Sequence, residues 1–133
     1  MQIIYERCAG LEVHKRSVVA CLLLLENGQP HKERQTLSTM TADLLRLRDW
    51  LKDHACSCVA MESTGVFWKP IYHLLEDHFQ VLVVNAQHIK AVPGRKTDLT
   101  DAEWSAELLE HGLLRPSFIP PPGPRHLCDL TRR

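Results

Sequence analysis

Apolar and polar positions fall into short blocks along the chain. Residues 9–14 and 17–25 read as two strands, with a tight turn near Lys15-Arg16. Asn27-Gly28 is a hairpin signal and leads to a third strand over 32–37. Met40, Leu44, Leu47 and Leu51 then recur at helical spacing, behind Ser38, Thr39 and Thr41, which are able to cap. Cys58 to Glu62 reads as a short buried strand broken by Ser63-Thr64-Gly65. Phe67, Ile71 and Leu74 mark a second helix, with Pro70 tolerated in its first turn. The continuous apolar run Val81 to Val84 predicts a strand buried on both faces. A short helix is expected from Gln87 to Val92, ending at Pro93-Gly94. A last helix is expected from about Asp98 to His111, with a core stripe of Ala102, Ala106, Leu109 and Leu113 and with Gly112 ending it. The pattern predicts an α/β fold: a mixed five-stranded sheet with flanking helices and strands 1–3 antiparallel.

The punctuation changes late in the chain. Five of the eight prolines fall between Pro116 and Pro124, and such a run favours an extended linker over a helix. We therefore expect a domain over 1–115, a Pro-rich linker over 116–124, and the start of a truncated helical segment over 125–133. The chain reads as the amino-terminal part of a longer protein. Its 133 residues suit one domain of ordinary globular composition, with 44% hydrophobic and 24% charged residues.

Sixteen basic residues balance sixteen acidic ones. A polybasic binder relying on bulk charge is excluded, although local basic segments beside an acidic site are not. No run reaches the ~18 apolar residues of a membrane span, and residues 1–10 lack the apolar core of a signal peptide. A cytoplasmic chain is the default expectation. The five cysteines, at 8, 21, 56, 58 and 128, contain no Cys-x-x-Cys pair and read as reduced, buried thiols. Cys56 and Cys58, two apart, would face the same side of a strand. The scattered histidines offer no zinc-ligand spacing.

Four acids remain. Glu12 interrupts an apolar strand and shares a face with Gly10 and His14. Glu62 ends an apolar strand just before a glycine break. Each reads either as a solvated strand residue or as part of a site at the carboxyl ends of strands. Asp98 and Asp101, at i and i+3, share one face of the expected helix. Thr100-x-x-Glu103 fits a capping box, which explains some of these acids without a ligand. Taken jointly, Glu12, Glu62, Asp98 and Asp101 offer hard oxygen ligands for Mg²⁺ or Mn²⁺. Paired ions of that kind serve phosphodiester chemistry.

The strings Gly10 to Lys15, Met61 to Pro70, Asn85 to Asp98 and Asp101 to Trp104 closely resemble the amino-terminal domain of DEDD transposases encoded by insertion sequences of the one-hundred-ten type. The likeness runs from about Gly10 to Arg133. It implies a RuvC-like, RNase H-like fold whose catalytic, metal-binding acids map onto Glu12, Glu62, Asp98 and Asp101. It implies a Mg²⁺ or Mn²⁺ cofactor and action in DNA transposition. The implied partners are DNA, a structured bridge RNA and further copies of the chain, with no membrane. Full-length members carry a carboxy-terminal serine domain that this chain lacks, so strand exchange by this chain alone is not expected. One departure stands out: the family's first acid is Asp, and here it is Glu12. The extra methylene extends the carboxylate by roughly 1.3–1.5 Å.

Lys15, Arg16, Lys90, Arg95 and Lys96 flank the acids and are candidate phosphate contacts. Ser63, Thr64 and Ser105 are candidates to hydrogen-bond the carboxylates or metal waters. Trp68 and Trp104 read as core or subunit-contact residues rather than base-stacking ones. No P-loop motif is present. Two other readings stay open: a stand-alone RuvC-like junction resolvase or ribonuclease, and a non-catalytic module for RNA binding or oligomerisation.

Overall fold

A computed structural model describes residues 5–63, 65–85, 89, 92–94 and 100–114. The elements in chain order are β1 (Arg7–Val13), β2 (Ser17–Glu26), β3 (Gln29–Ser38), α1 (Thr41–Asp53), β4 (Cys58–Ser63), α2 (Trp68–Leu75), β5 (Gln80–Val84) and α3 (Asp101–Glu110). The five strands form one sheet in the order β3-β2-β1-β4-β5. β1, β2 and β3 are antiparallel neighbours, and β4 and β5 run parallel to β1. This is the mixed sheet the sequence predicts. The β2–β3 hairpin turns on Asn27 and Gly28, both with positive φ (50° and 77°), the backbone of a type I′ turn.

The two faces of the sheet are chemically different. Ala9, Leu11 and Val13 of β1 point into a large aliphatic core with Leu22, Val59, Met61 and the buried sides of α1 and α2. The alternate residues Cys8 and Gly10 face α3, where the packing is of small groups: Cys21, Cys58, Ala60, Ala102 and Ala106. A Cβ on Gly10 would stand 2.2 Å from the Ala102 carbonyl oxygen and 2.6 Å from the Ala106 nitrogen. The absent side chain thus lets α3 lie directly on β1.

Helix ends account for most departures from the expected pattern. Met40 is the N-cap of α1 and is 71% exposed, so it is no part of the apolar stripe. The cap bonds come from upstream: Ser38 Oγ accepts from the Met40 amide, and the Ser38 amide and hydroxyl both donate to Asp43. The α2 stripe is Trp68, Ile71 and Leu75 rather than Phe67, Ile71 and Leu74, because Phe67 is the N-cap position. Both α1 and α3 end in a Schellman motif. Ala55 takes the left-handed position after α1, with Cys56 N bonded to Leu51 O; Gly112 takes it after α3, with Leu113 N bonded to Leu108 O. Leu113 therefore falls beyond the helix and is 41% exposed, and Leu108 is buried instead.

β5 is an edge strand, and the expected burial on both faces holds in its carboxyl half: Val83 is buried in the aliphatic core and Val84 on the opposite face beside Trp104 and Leu108, whereas Val81 and Leu82 are only half-buried. Cys56 precedes β4 and packs in the aliphatic core, whereas Cys58 faces α3; the turn at Ala55 breaks the strand parity expected of them. The four described cysteines are free and buried. Of the helix expected over 87–92, Ile89 is described and fully buried; Trp104 Nε1 donates to its carbonyl oxygen at 2.6 Å. Trp68 and Trp104 are both core residues. The expected linker and terminal segment lie outside the described residues.

Candidate metal centre

Glu12 and Glu62 occupy equivalent places, each the penultimate residue of its strand, and they are register partners across the parallel pair β1–β4. Side-by-side residues of a parallel pair project from the same face. That face carries α3, whose first residue is Asp101. The three carboxylates offer oxygen atoms that all lie within 4.8 Å of one another. Glu62 is buried, and Glu12 and Asp101 are partly so. His14 Nε2 stands 3.1 Å from Glu12 Oε2. The cluster sits at the carboxyl ends of parallel strands, the usual ligand edge of an open α/β sheet. Gathering three like charges is costly unless a cation is shared, and an all-oxygen carboxylate set suits a hard divalent ion.

Thr100 caps α3 with φ −73° and ψ 166°, and the capping box with Glu103 is complete. The helix thus opens at Asp101, three residues later than expected. Asp98 precedes the cap in the sequence and lies outside the described residues. Ser105, one turn on from Asp101, is fully buried over Gly10, and its Oγ has no hydrogen-bond partner among the described residues. Lys15 and Arg16 are exposed in the turn that continues β1 past Glu12. Thr64, Lys90, Arg95 and Lys96 lie outside the described residues, as does the side chain of Ser63.

One feature of the first turn of α3 escapes a reading of local motifs. Glu103 is only 5% exposed, yet it meets two cations from β3: Lys32 Nζ donates to its Oε2 at 3.0 Å and Arg34 Nη1 to its Oε1 at 3.2 Å. The Thr100 amide and hydroxyl donate to the same carboxylate, each at 3.1 Å. Burial works against the charge, but the Thr100 amide and Lys32 outweigh it and hold Glu103 below its ordinary pKa. The signal available in the sequence is the period-two placement of Lys32 and Arg34, which puts both on one face of β3.

The sheet order and its helices define an RNase H-like domain of the RuvC kind. RuvC of Thermus thermophilus superposes with a TM-score of 0.57, covering 83% of this chain and 99% of that one at 13% identity. A Fowlpox virus resolvase, solved with its substrate Holliday junction DNA, gives a TM-score of 0.46 at 12% identity, over 68% of this chain and 65% of that one. The RuvC likeness establishes the fold. A family model of the DEDD transposases of the IS110 type, described as Transposase, matches residues 9–133, and the chain belongs to that family. No curated protein matches the chain. Among the described residues, no helix is long and apolar enough to cross a membrane.

Proposed function

We propose that this chain is the metal-binding domain of a transposase that acts on DNA during transposition of an insertion sequence. The observation that carries the reading is the convergence of Glu12, Glu62 and Asp101 within 4.8 Å at the carboxyl edge of the sheet. These three, with Asp98, would hold Mg²⁺ or Mn²⁺. When bound, such an ion activates a water or hydroxyl and stabilises the leaving oxygen of a phosphodiester. The protein's own part is placement. β1 and β4 set two carboxylates side by side, and α3 brings the third. Ser105 lies one turn from Asp101 to hydrogen-bond a carboxylate or a water. Lys15 and Arg16, with Lys90, Arg95 and Lys96, neutralise phosphates and fix the register of the strand. The partners we propose are DNA, a structured bridge RNA and further copies of the chain, with strand exchange requiring a downstream serine domain.

The test is the affinity of the chain for a four-way DNA junction and for a structured RNA, measured with Mn²⁺ and with EDTA. Binding that tightens with Mn²⁺, and loses that gain in Glu62→Gln, supports the reading. Equal affinity in both conditions contradicts it and favours the non-catalytic module, for which Glu12 in place of the family's Asp is the supporting observation.

A further inference from the structure

We infer that Glu103, held by Lys32 and Arg34 of β3, is a positioning residue that sets where α3 delivers Asp101 to Glu12 and Glu62. The inference rests on the metal-centre reading for its functional consequence, though not for the clamp itself.

Glu103 lies two residues after Asp101, in the same helical turn, and is nearly buried while charged. Apolar packing would hold a helix against a sheet as firmly as a buried ion pair does. What apolar packing does not fix is sliding and rotation, because it is non-directional. Four donors converging on one carboxylate are directional. Two come from the helix's own cap, Thr100 N and Oγ1, and two from a strand across the sheet, Lys32 Nζ and Arg34 Nη1.

Lys32 and Arg34 pair in register with Leu23 and Cys21, so they stand on the α3 face of the sheet. Gly10 supplies the second constraint, close contact with the Ala102 and Ala106 backbone. With one contact on β1 and one on β3, the first turn of α3 keeps little freedom, and Asp101 opens that turn. Glu107 reaches Lys32 only at 4.0 Å, is 31% exposed, and lies one turn further from Asp101. It serves as the control.

The experiment has two readouts on the whole chain. The first is metal-free: native-state hydrogen exchange of the Trp104 and Ser105 amides, with the Leu47 and Leu51 amides of α1 as reference. Glu103→Gln should speed exchange in the first turn of α3 by ~10-fold and leave α1 unchanged. Unchanged α3 protection, or equal loss in both helices, overturns the inference. The second is Mn²⁺ affinity by calorimetry at low temperature, on protein verified as folded. Glu103→Gln should weaken binding by ~10-fold, the order seen when groups orienting metal ligands are removed, and Glu107→Gln should not.

Lys32→Gln should weaken Mn²⁺ binding in the same direction and keeps the test open if Glu103→Gln fails to fold. The exchange variant Lys32→Arg/Arg34→Lys should retain wild-type affinity. Full affinity in both Glu103→Gln and Lys32→Gln overturns the inference. If the wild-type chain binds no Mn²⁺, the metal-centre reading fails, and the exchange data decide the clamp alone.

Discussion

Gly10 of β1 and Ala102 of α3 approach so closely that no side chain fits between them: a Cβ on Gly10 would stand 2.2 Å from the Ala102 carbonyl oxygen. The contact lies between backbones, so it is not relieved by a rotamer change. It fixes the height of α3 above the sheet one residue after Asp101 and two residues before Glu12. The acidic cluster inherits its geometry from this contact.

Gly10→Ala should therefore act as an overpacking change against rigid backbone. Overpacking costs about 1–3 kcal/mol and at times more; with backbone on the other side, we expect the top of that range. The urea unfolding midpoint reads it. A loss under ~1 kcal/mol would mean that α3 is not seated on β1 as described.

The two Schellman caps differ in one residue and so predict a stabilising change. Gly112 takes the left-handed position freely, whereas Ala55 sits there with φ 55° and a Cβ. Ala55→Gly removes a steric cost of roughly 1–2 kcal/mol and gives back about half of it through the unfolded chain. A net gain of ~0.5–1 kcal/mol is expected in thermal or urea unfolding. No gain would contradict the assigned cap.

The buried cysteines set an alkaline limit on stability. Burial pushes the thiols of Cys21 and Cys56 up to about 12 and that of Cys58 up to about 11, from 9.0. Burial also raises Cys8. Between pH 9 and 11 the unfolded chain loses thiol protons that the folded chain keeps. Stability is then complete below pH 9 and falls as pH rises through that window, by up to ~1.4 kcal/mol per pH unit for each thiol. The urea midpoint should drop between pH 8 and pH 10, and thiol reagents should label these residues slowly at pH 8. Rapid labelling of Cys8, Cys21, Cys56 or Cys58 in the folded chain would contradict their burial.

How far the sequence reveals this arrangement depends on whether the determinants are local. Strand alternation, the Asn27-Gly28 hairpin, the capping box and the Gly112 stop are local, and they place the elements within a few residues. The helix stripes go astray where the cap shifts the frame, at Met40, Phe67 and Leu113. Glu12 and Glu62 are recognisable singly as acids in apolar strands. Their register is a long-range property of parallel pairing, which no spacing encodes. The same holds for the Lys32 and Arg34 contacts with Glu103, which cross the sheet. Cys56 departs because a left-handed residue at Ala55 breaks the strand parity assumed for it.

Glu12 gives a prediction about the departure from the family's Asp. Its longer side chain reaches into the cluster and also meets His14. Mg²⁺ demands near-ideal octahedral geometry, so we expect metal binding that is present but weakened. Glu12→Asp should tighten Mn²⁺ binding several-fold by calorimetry. Equal affinities would show that the extra methylene is accommodated without cost.

The central claim is that Glu12, Glu62 and Asp101 form one metal centre. Its most direct test is calorimetric titration of the chain with Mn²⁺, beside Glu62→Gln and Asp101→Asn variants verified as folded. The account predicts saturable binding to the wild-type chain and its loss in each single variant. A wild-type chain that takes up no Mn²⁺, or single variants that bind it as well as wild type, would contradict it.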